Sequence, residues 1–245
     1  IPSHDTFERL FARLRPTELQ QCFLNWVQAI FHVTEGQVIA VDGKTLRGAY
    51  ERGQGRSMIH MVSAWATANR IVLGQCKTQE KSNEITAIPE LLKLLDLAGA
   101  VVTIDAMGTQ KAIAQQIVDQ GADYVLALKG NQGNLHQDVM QLFDAAFAQG
   151  FTGIEHQFHQ THDQAHGRIE TRRCQVTEDI AWLAQKSEWA GLQSIVMVEA
   201  EREIIGQEAT SEKRYFISSL PANAAAHLHA VRSHWQVENS LHWVL

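Results

Sequence analysis

The sequence has few cysteines and no long apolar run. Its three cysteines, Cys22, Cys76 and Cys174, are far apart and form no Cys-x-x-Cys pair. This pattern argues against a disulfide framework and favours a reducing compartment. No apolar run reaches the roughly 18 residues of a membrane span, and no signal peptide is recognisable. We therefore expect neither a disulfide-rich secreted domain nor a membrane protein, and we predict a cytoplasmic location.

The chain also lacks an excess of positive charge. Its net charge is -6 with neutral histidines, which by itself argues mildly against a nucleic-acid partner. However, charge can be local. Basic residues cluster in two stretches, and on composition alone each cluster fits a solvated surface as well as a binding site. The clusters are Lys44, Arg47, Arg52 and Arg56, and Arg168, Arg172 and Arg173.

The 245 residues, 45% hydrophobic and 20% charged, suit one large globular domain or a domain with a sizeable insertion. Residues 1–35 predict two helices. The first follows the spacing of Phe7, Leu10, Phe11 and Leu14, and the second starts at a proline with Thr17 as its cap. The chain opens without a methionine, so we expect a piece of a longer protein.

Two short apolar runs each predict a buried strand that ends in an acid. `QVIAVDGK` ends at Asp42, and `AVVTIDAMG` ends at Asp105. Between them, `SMIHMVSAWAT` and `RIVLGQCKT` predict two strands joined by short turns, and `SNEITAIPELLKLLDLAG` predicts a helix with Ser82 as its cap. After Asp105, `TQKAIAQQIVDQG` predicts another helix and `DYVLALKGNQG` a fifth strand.

The order of these elements predicts a geometry. Short turns make the first three strands antiparallel neighbours, and a right-handed helical crossover usually adds a parallel fourth strand to the same sheet. If this fourth strand lies beside the first, Asp42 and Asp105 both sit at carboxyl ends on one edge of the sheet. Ligands of α/β sheets tend to bind at that edge.

Residues 131–220 predict a mixed, partly β insertion, with strands in `HGRIETRRCQVT`, `LQSIVMVEAERE` and `KRYFISSL`. Residues 221–245 predict one long helix that starts at Pro221. The stretch `EHQFHQTHDQAH` offers four histidines, but it has no cysteine nearby and no HExxH motif. A polar loop is therefore a better interpretation of this stretch than a zinc site.

Two clustered carboxylates repel each other unless a cation lies between them. Oxygen ligands suit Mg²⁺ or Mn²⁺, and two such ions about 4 Å apart support phosphoryl transfer, which usually needs a third acid. Glu238 on the last helix is the natural candidate. Two simpler interpretations remain open from these residues alone. Asp42 could cap a turn before Gly43, and Glu238 could be a solvated helix acid.

Five stretches resemble the DDE transposases of bacterial insertion sequences, in particular the group of the H-repeat-associated proteins. They are `VIAVDGKTLRG`, `EKSNEITAIPELL`, `VTIDAMGTQ`, `GADYVLALKGNQ` and `HWQVENSLHWVL`. The resemblance covers almost the whole chain. It implies an α/β, ribonuclease-H-like mixed sheet flanked by helices, formed by residues 36–130 and 221–245. It also implies a strand-rich insertion before the helix that carries the last acid.

The resemblance implies that Asp42, Asp105 and Glu238 form the catalytic triad and bind two Mg²⁺ or Mn²⁺ ions. Asp42 would bridge both ions, and the other two acids would each hold one. Water would cut the phosphodiester at the transposon end, and the freed 3′-hydroxyl would attack target DNA. The partners would be DNA and a second copy of the chain, as a homodimer. Predicted DNA contacts are Lys44, Arg47, Lys129, Arg168, Arg172, Arg173 and Arg232.

The sequence departs from the family at the last helix. Related transposases carry a Tyr, Arg, Glu, Lys signature around the final acid, and here Val231, His234 and Leu245 stand at the Tyr, Arg and Lys positions. The H-repeat group shares much of this altered pattern, and Arg232 could take over a phosphate contact. Two alternatives remain, a product that binds DNA without cutting it and a nuclease that cuts without strand transfer.

Overall fold

The computed structural model describes residues 2–30, 35–46, 59–78, 84–165, 167–204 and 208–237. The chain divides into two compact units, 1–33 and 34–245. The first contains helices α1 (His4–Phe11) and α2 (Pro16–Ile30), so the two predicted N-terminal helices are confirmed. Thr17 is not the cap of α2, because the helix already begins at Pro16. The fixed φ of a proline suits that first helical position.

The second unit is built on one nine-stranded mixed sheet. Its strands lie in the order β3-β2-β1-β4-β5-β9-β8-β7-β6. Strand β1 pairs antiparallel with β2 and parallel with β4, as the sequence predicts. The strands are β1 (Val38–Leu46), β2 (Ile59–Ala66), β3 (Ile71–Thr78), β4 (Val101–Ile104), β5 (Asp123–Leu128), β6 (Gln157–Ala165), β7 (Arg168–Thr177), β8 (Ser194–Ile204) and β9 (Thr210–Ser218).

In the described part of this unit, four α-helices flank the sheet. They are α3 (Glu84–Lys93), α4 (Lys111–Asp119), α5 (Gly133–Ala148) and α6 (Ala224–Val237). Helix α3 contacts β2 and β3, and α6 crosses β1, β4, β6 and β7. Strands β1–β5 and the helices that pack on them form the mixed α/β sheet flanked by helices that was predicted. None of the helices in the described ranges is long and apolar enough to cross a membrane.

Strand β1 does not end at Asp42, which corrects the prediction. It continues to Leu46 because β2 pairs with it over its whole length, including Asp42 with Ser63 and Gly43 with Val62. Only the neighbouring strand β4 stops at this level, at Ile104. Asp42 is therefore a residue in the middle of a strand, and the alternative that it caps a turn before Gly43 is wrong.

The residues after β5 extend the same sheet. Strand β9 pairs antiparallel with β5, and β8, β7 and β6 follow in sequence. The boundaries of an insertion at 131–220 stay a prediction. The polar loop predicted for `EHQFHQTHDQAH` is wrong, because residues 157–165 form the edge strand β6. An edge strand needs no apolar face, which explains why its sequence gave no strand pattern.

Helix α6 packs on the centre of the sheet. Leu228 and Val231 contact buried valines of β1, β4, β5 and β8. The helix begins at Ala224 rather than at Pro221, because the side chain of Asn223 accepts a hydrogen bond from the backbone N–H of Ala226 and so caps it. The described helix ends at Val237, which packs against Ala40 and Trp65.

Candidate active site

Two carboxylates lie side by side where the parallel strands β1 and β4 meet. Val41 and Ile104 are paired neighbours in the parallel register, so the next residues, Asp42 and Asp105, face each other across about 5 Å of Cα separation. Side chains alternate along a strand, so these acids share the face of Ala40 and Thr103. Helix α6 packs on that face. The predicted meeting of the two acids is thus present in the structure.

Backbone N–H groups orient both carboxylates. Oδ1 of Asp42 accepts a hydrogen bond from the N–H of Gly43 at 2.8 Å. Oδ1 of Asp105 accepts two, from Met107 at 3.1 Å and Gly108 at 3.2 Å. Among the described residues, none donates a hydrogen bond to Oδ2 of Asp105. Two adjacent carboxylates that are oriented by the backbone fit a hard divalent cation such as Mg²⁺ or Mn²⁺.

The glycine after each acid allows close packing beneath the site. A Cβ on Gly43 would lie 2.5 Å from the carboxylate of Glu84, a buried residue of α3. A Cβ on Gly108 would lie 2.3 Å from Ile104 and 2.7 Å from Ile88. Gly108 is therefore required by the close approach of Ile104, whereas a Cβ on Gly43 would meet only the end of the flexible Glu84 side chain, which can shift. The backbone that follows Asp105 thus tolerates little change.

Side-chain hydrogen bonds hold the loop that follows Asp105. The buried hydroxyl of Thr109 donates to the carbonyls of Asp105 and Ala127, at 3.2 and 2.7 Å. Asn131 and Gln132, in the turn after β5, donate to the carbonyls of Ala106 and Thr109. This role of the `GNQ` stretch was not predicted. Two amide side chains directly after a buried strand are the sequence feature that could have indicated it.

Helix α6 approaches the two acids at its C-terminal end. His234 is hydrogen-bonded through Nδ1 to the hydroxyl of Thr103 at 3.0 Å, two residues before Asp105 on the same strand. Val237 contacts Ala40, two residues before Asp42. The predicted third acid, Glu238, lies outside the described residues, so its role stays a prediction.

A groove of about 1130 Å³ extends from Asp42 and Asp105 along α6 and over strands β7, β8 and β9. Among the residues that the structure describes, seven lysines and arginines line it against five acids, two of which are the acid pair itself. The groove is therefore locally basic in a chain of net charge -6. Its cationic side chains are Lys129, Arg168, Arg172, Arg202, Arg214 and Arg232. Lys213 also lines the groove, but its ammonium group lies on the other face of β9, over the ring of Phe147 and 3.9 Å from Asp144 of α5.

One buried acid organises three of these arginines. The side chain of Glu170 on β7 is 11% exposed, and its carboxylate forms ion pairs with two arginines of its own strand and one of β8. The partners are Arg168 at 3.0 Å, Arg202 at 3.2 Å, and Arg172. Because the carboxylate fixes these side chains before any ligand arrives, their guanidinium groups are preorganised along the groove.

A second arrangement fixes Arg214 on β9. Its guanidinium lies over the ring of Trp235 at 4.5 Å from the centroid, and it donates to both oxygens of Glu212 at 2.8 and 2.9 Å. These hydrogen bonds lower the pKa of Glu212, and the positive charges of Lys129 and Arg202 add to that lowering. Trp235 is thus half-buried, and it both packs against the core and lines the groove.

The predicted DNA contacts separate into groups. Lys129, Arg168, Arg172 and Arg232 line the groove. Lys44 lies two residues beyond Asp42 on the same face of β1 and is half-buried. Arg47 lies outside the described residues.

Arg173 is the exception among the predicted contacts. It projects from the opposite face of β7, where it pairs with Glu199 and Glu201 at 3.3 and 2.9 Å. The structure does not bring it together with the others. Arg202 and Arg214 were missed, because their face depends on a strand register that the sequence does not reveal.

The histidines of strand β6 do not converge. His159 and His162 project from opposite faces of the sheet, and the side chain of His162 forms hydrogen bonds with those of Gln160 and Thr171. His156 stacks on Phe151, with ring centroids 3.9 Å apart. Within the described ranges, the group of three possible ligands that lies close together is His4, Asp5 and Glu8. It is exposed on α1 and belongs to the other unit.

Residues 34–245 match the family described as the transposase DDE domain. YncI of Escherichia coli O157:H7, provisionally named a transposase, is 43% identical over 249 residues, which cover 100% of this chain and 63% of YncI. YhhI of strain K12, provisionally named an H repeat-associated transposase, is 41% identical over 251 residues, covering 100% and 65%. The chain thus spans less than two thirds of these relatives.

One solved structure is also similar, a piggyBac transposase in a synaptic complex with hairpin DNA, determined by cryo-electron microscopy. It aligns with a TM-score of 0.42 and 10% identity, over 92% of this chain and 46% of that chain. A similarity at this level carries no argument about fold or function.

Proposed function

Since this chain belongs to the transposase DDE domain family, we propose that it is the catalytic region of a DNA transposase. The observation that supports this function best is the position of Asp42 and Asp105. They are adjacent on one sheet face, at the end of a basic groove. The proposed partner is duplex DNA, both transposon end and target. The protein would then act in the bacterial cytoplasm, and a homodimer would hold the two transposon ends together.

The metal ligands in this proposal are Asp42, Asp105 and Glu238. Asp42 would contribute to both of two Mg²⁺ or Mn²⁺ sites, and Asp105 and Glu238 to one each. When bound, the ions activate the attacking oxygen and stabilise the leaving oxygen of a phosphodiester. The chain's own contribution is to hold the two strand carboxylates in place through the N–H groups of Gly43, Met107 and Gly108.

The reaction consists of two displacements at phosphorus. In the first, a water oxygen bonds to the phosphorus at the transposon end while the bond to the 3′-oxygen breaks. This step leaves a 3′-hydroxyl and a 5′-phosphate. In the second, that 3′-hydroxyl bonds to a target phosphorus while the target's own 3′-oxygen leaves. The numbers of phosphodiester bonds formed and broken balance in the second step, so no cofactor that supplies energy is required.

The basic groove would position the DNA backbone for these steps. Lys129 directly follows the last residue of β5. The next basic residues along the groove are Arg214 on β9, Arg202 on β8, and Arg172 and Arg168 on β7. Such contacts to phosphate supply affinity and orientation without reading sequence. The location of the cations on the face of the acid pair supports one continuous DNA path.

A strand-transfer assay tests the proposal. A labelled duplex that carries the end of the encoding element is incubated with the chain and Mn²⁺, with and without an acceptor duplex. We expect a nicked product in both reactions and a joined product only with the acceptor, all lost in Asp105→Asn. Cutting without joining would support a nuclease instead. Binding without either product would support a DNA-binding product that does not cut.

A further inference from the structure

We propose that Asp163 competes with a DNA phosphate for the guanidinium groups of Arg172 and Arg232. This inference rests on the proposed function, because it concerns how the same groove takes up DNA. It assigns a phosphate-binding site to two arginines from different elements and gives Asp163 the role of an internal anion that occupies it.

The geometry of Asp163 is that of an anion held between two arginines. A single oxygen, Oδ2, accepts hydrogen bonds from Arg172 Nη1 at 2.7 Å and forms an ion pair with Arg232 Nη2 at 2.9 Å. The three residues come from β6, β7 and α6. A phosphate oxygen with two arginine donors has the same charge and the same hydrogen-bonding requirement.

The two acids of this arginine cluster differ in exposure. Glu170 has a side chain that is 11% exposed and is surrounded by three arginines, whereas the side chain of Asp163 is 44% exposed. Water and salt screen the pair of Asp163 with Arg232, whose side chains are 44% and 36% exposed, and this pair therefore contributes little to stability. The guanidinium of Arg172 is 13% exposed, but it keeps its ion pair with Glu170. Glu170 is consequently a fixed part of the fold, while Asp163 can be displaced at little cost.

Arg172 would remain in position when Asp163 leaves. Its Nη2 donates to Glu170 independently of its contact with Asp163. Arg232 lines the groove, and its side chain is 36% exposed, so it is accessible to a duplex. An arriving phosphate thus meets one anchored and one accessible guanidinium. It must first overcome the negative charge of Asp163.

The test compares Asp163→Asn with Asp179→Asn. Asp179 is an exposed acid, whereas Asp163 contacts Arg172 and Arg232. Both variants lose one negative charge, but only Asp163→Asn changes the proposed site. The probe is a 30-base-pair duplex of mixed sequence, titrated by fluorescence anisotropy at several salt concentrations, with thermal unfolding as a check on folding. Asp163→Glu keeps the charge and serves as a conservative variant.

We expect Asp163→Asn to bind the duplex about 10-fold more tightly at low salt than wild type, with a plot of log affinity against log salt steeper by about 1. Asp179→Asn and Asp163→Glu should bind like wild type. Arg232→Gln should weaken binding more in the Asp163→Asn background than in wild type, because there Arg232 is no longer neutralised. A purely structural acid would give none of these gains.

The failures are distinguishable. If wild type binds the duplex but Asp163→Asn binds no better than Asp179→Asn, Asp163 is a structural link and the inference is overturned while the proposed function stands. The inference is also overturned if Asp163→Asn fails to fold and Arg232→Gln alone abolishes binding. Arg232 would then contact DNA fully in the presence of Asp163, so Asp163 would not be competing with the phosphate. If neither wild type nor any variant binds the duplex, the proposed function fails as well.

Discussion

The two halves of the nine-stranded sheet handle charge in different ways. In strands β1–β5, Asp42 and Asp105 each follow an apolar run, and backbone N–H groups orient their carboxylates. In strands β6–β9, charged side chains are oriented by other charged side chains, as Glu170 shows with its three arginines. The first half therefore holds two carboxylates that the backbone orients, and the second holds a basic surface whose arginines are oriented by acidic side chains.

This difference has an energetic reason. If the two carboxylates share cations, as proposed, arginines that neutralised them would reduce their capacity as ligands, so backbone donors are the suitable groups to orient them. A surface for DNA can tolerate internal ion pairs, because a phosphate can replace an exposed carboxylate. The predictions below test whether the two halves really separate in this way.

The largest effect is expected for the acid pair. Asp105→Asn should lower the rate of DNA cleavage by about 1000-fold or more, equivalent to roughly 4 kcal/mol of activation free energy, since one cation ligand is lost. DNA affinity should stay close to that of wild type, because the groove arginines are unchanged. Single-turnover cleavage and anisotropy measure the two quantities separately. An equal loss in both would contradict the separation.

A large effect on stability is expected beneath the site. Gly108→Ala places a Cβ 2.3 Å from Ile104, which is buried, and should lower the free energy of unfolding by about 1–3 kcal/mol. Gly130→Ala is the matched control, since a Cβ there meets nothing within 4 Å. Urea unfolding followed by circular dichroism measures both variants. Equal stability of the two would show that the loop after Asp105 is looser than described.

A smaller effect separates two neighbouring arginines. Arg172 lies in the groove and Arg173 on the opposite face of β7. Arg172→Gln should weaken duplex binding about 10-fold and reduce the salt dependence by about 1, whereas Arg173→Gln should leave both nearly unchanged. Anisotropy titrations with one duplex decide the matter. Similar losses in both variants would mean that DNA contacts the sheet elsewhere.

The smallest effect concerns pH. Burial lowers the pKa of His227 on α6, so the unfolded chain takes up a proton near pH 6.5 that the folded chain does not. Stability should therefore fall as pH falls from 7.5 to 5.5, by at most about 1.4 kcal/mol per pH unit from this group. His227→Gln should flatten the dependence. His229→Gln, at an exposed position of the same helix, is the matched control substitution.

The sequence predicts the first half of the sheet better than the second. Apolar runs before Asp42 and Asp105 identify buried strands, and the crossover rule places them side by side. The continuation of β1 to Leu46 was missed, because pairing with β2 decides it. The edge strand β6 was missed because a polar strand at an edge has no apolar face to recognise.

The candidate site shows the same division. The register of β1 and β4 brings together acids that the sequence already singles out. The opposite directions of Arg172 and Arg173 follow from alternation along β7, but which of them faces α6 depends on packing. Arg202 and Arg214 were not predicted as groove residues for the same reason, because packing decides which face of their strands lies towards α6. The organising role of Glu170 became visible only through the distances to its three partners.

The most direct test of the account is Mn²⁺ binding to the full chain, measured by calorimetry beside Asp42→Asn, Asp105→Asn and Glu238→Gln. The account predicts that wild type binds Mn²⁺ and that each variant loses much of that binding, because the three acids form one site. Asp163→Asn should retain it, since Asp163 belongs to the arginine cluster of the other half. Mn²⁺ binding that survives all three substitutions would contradict the assignment of the site.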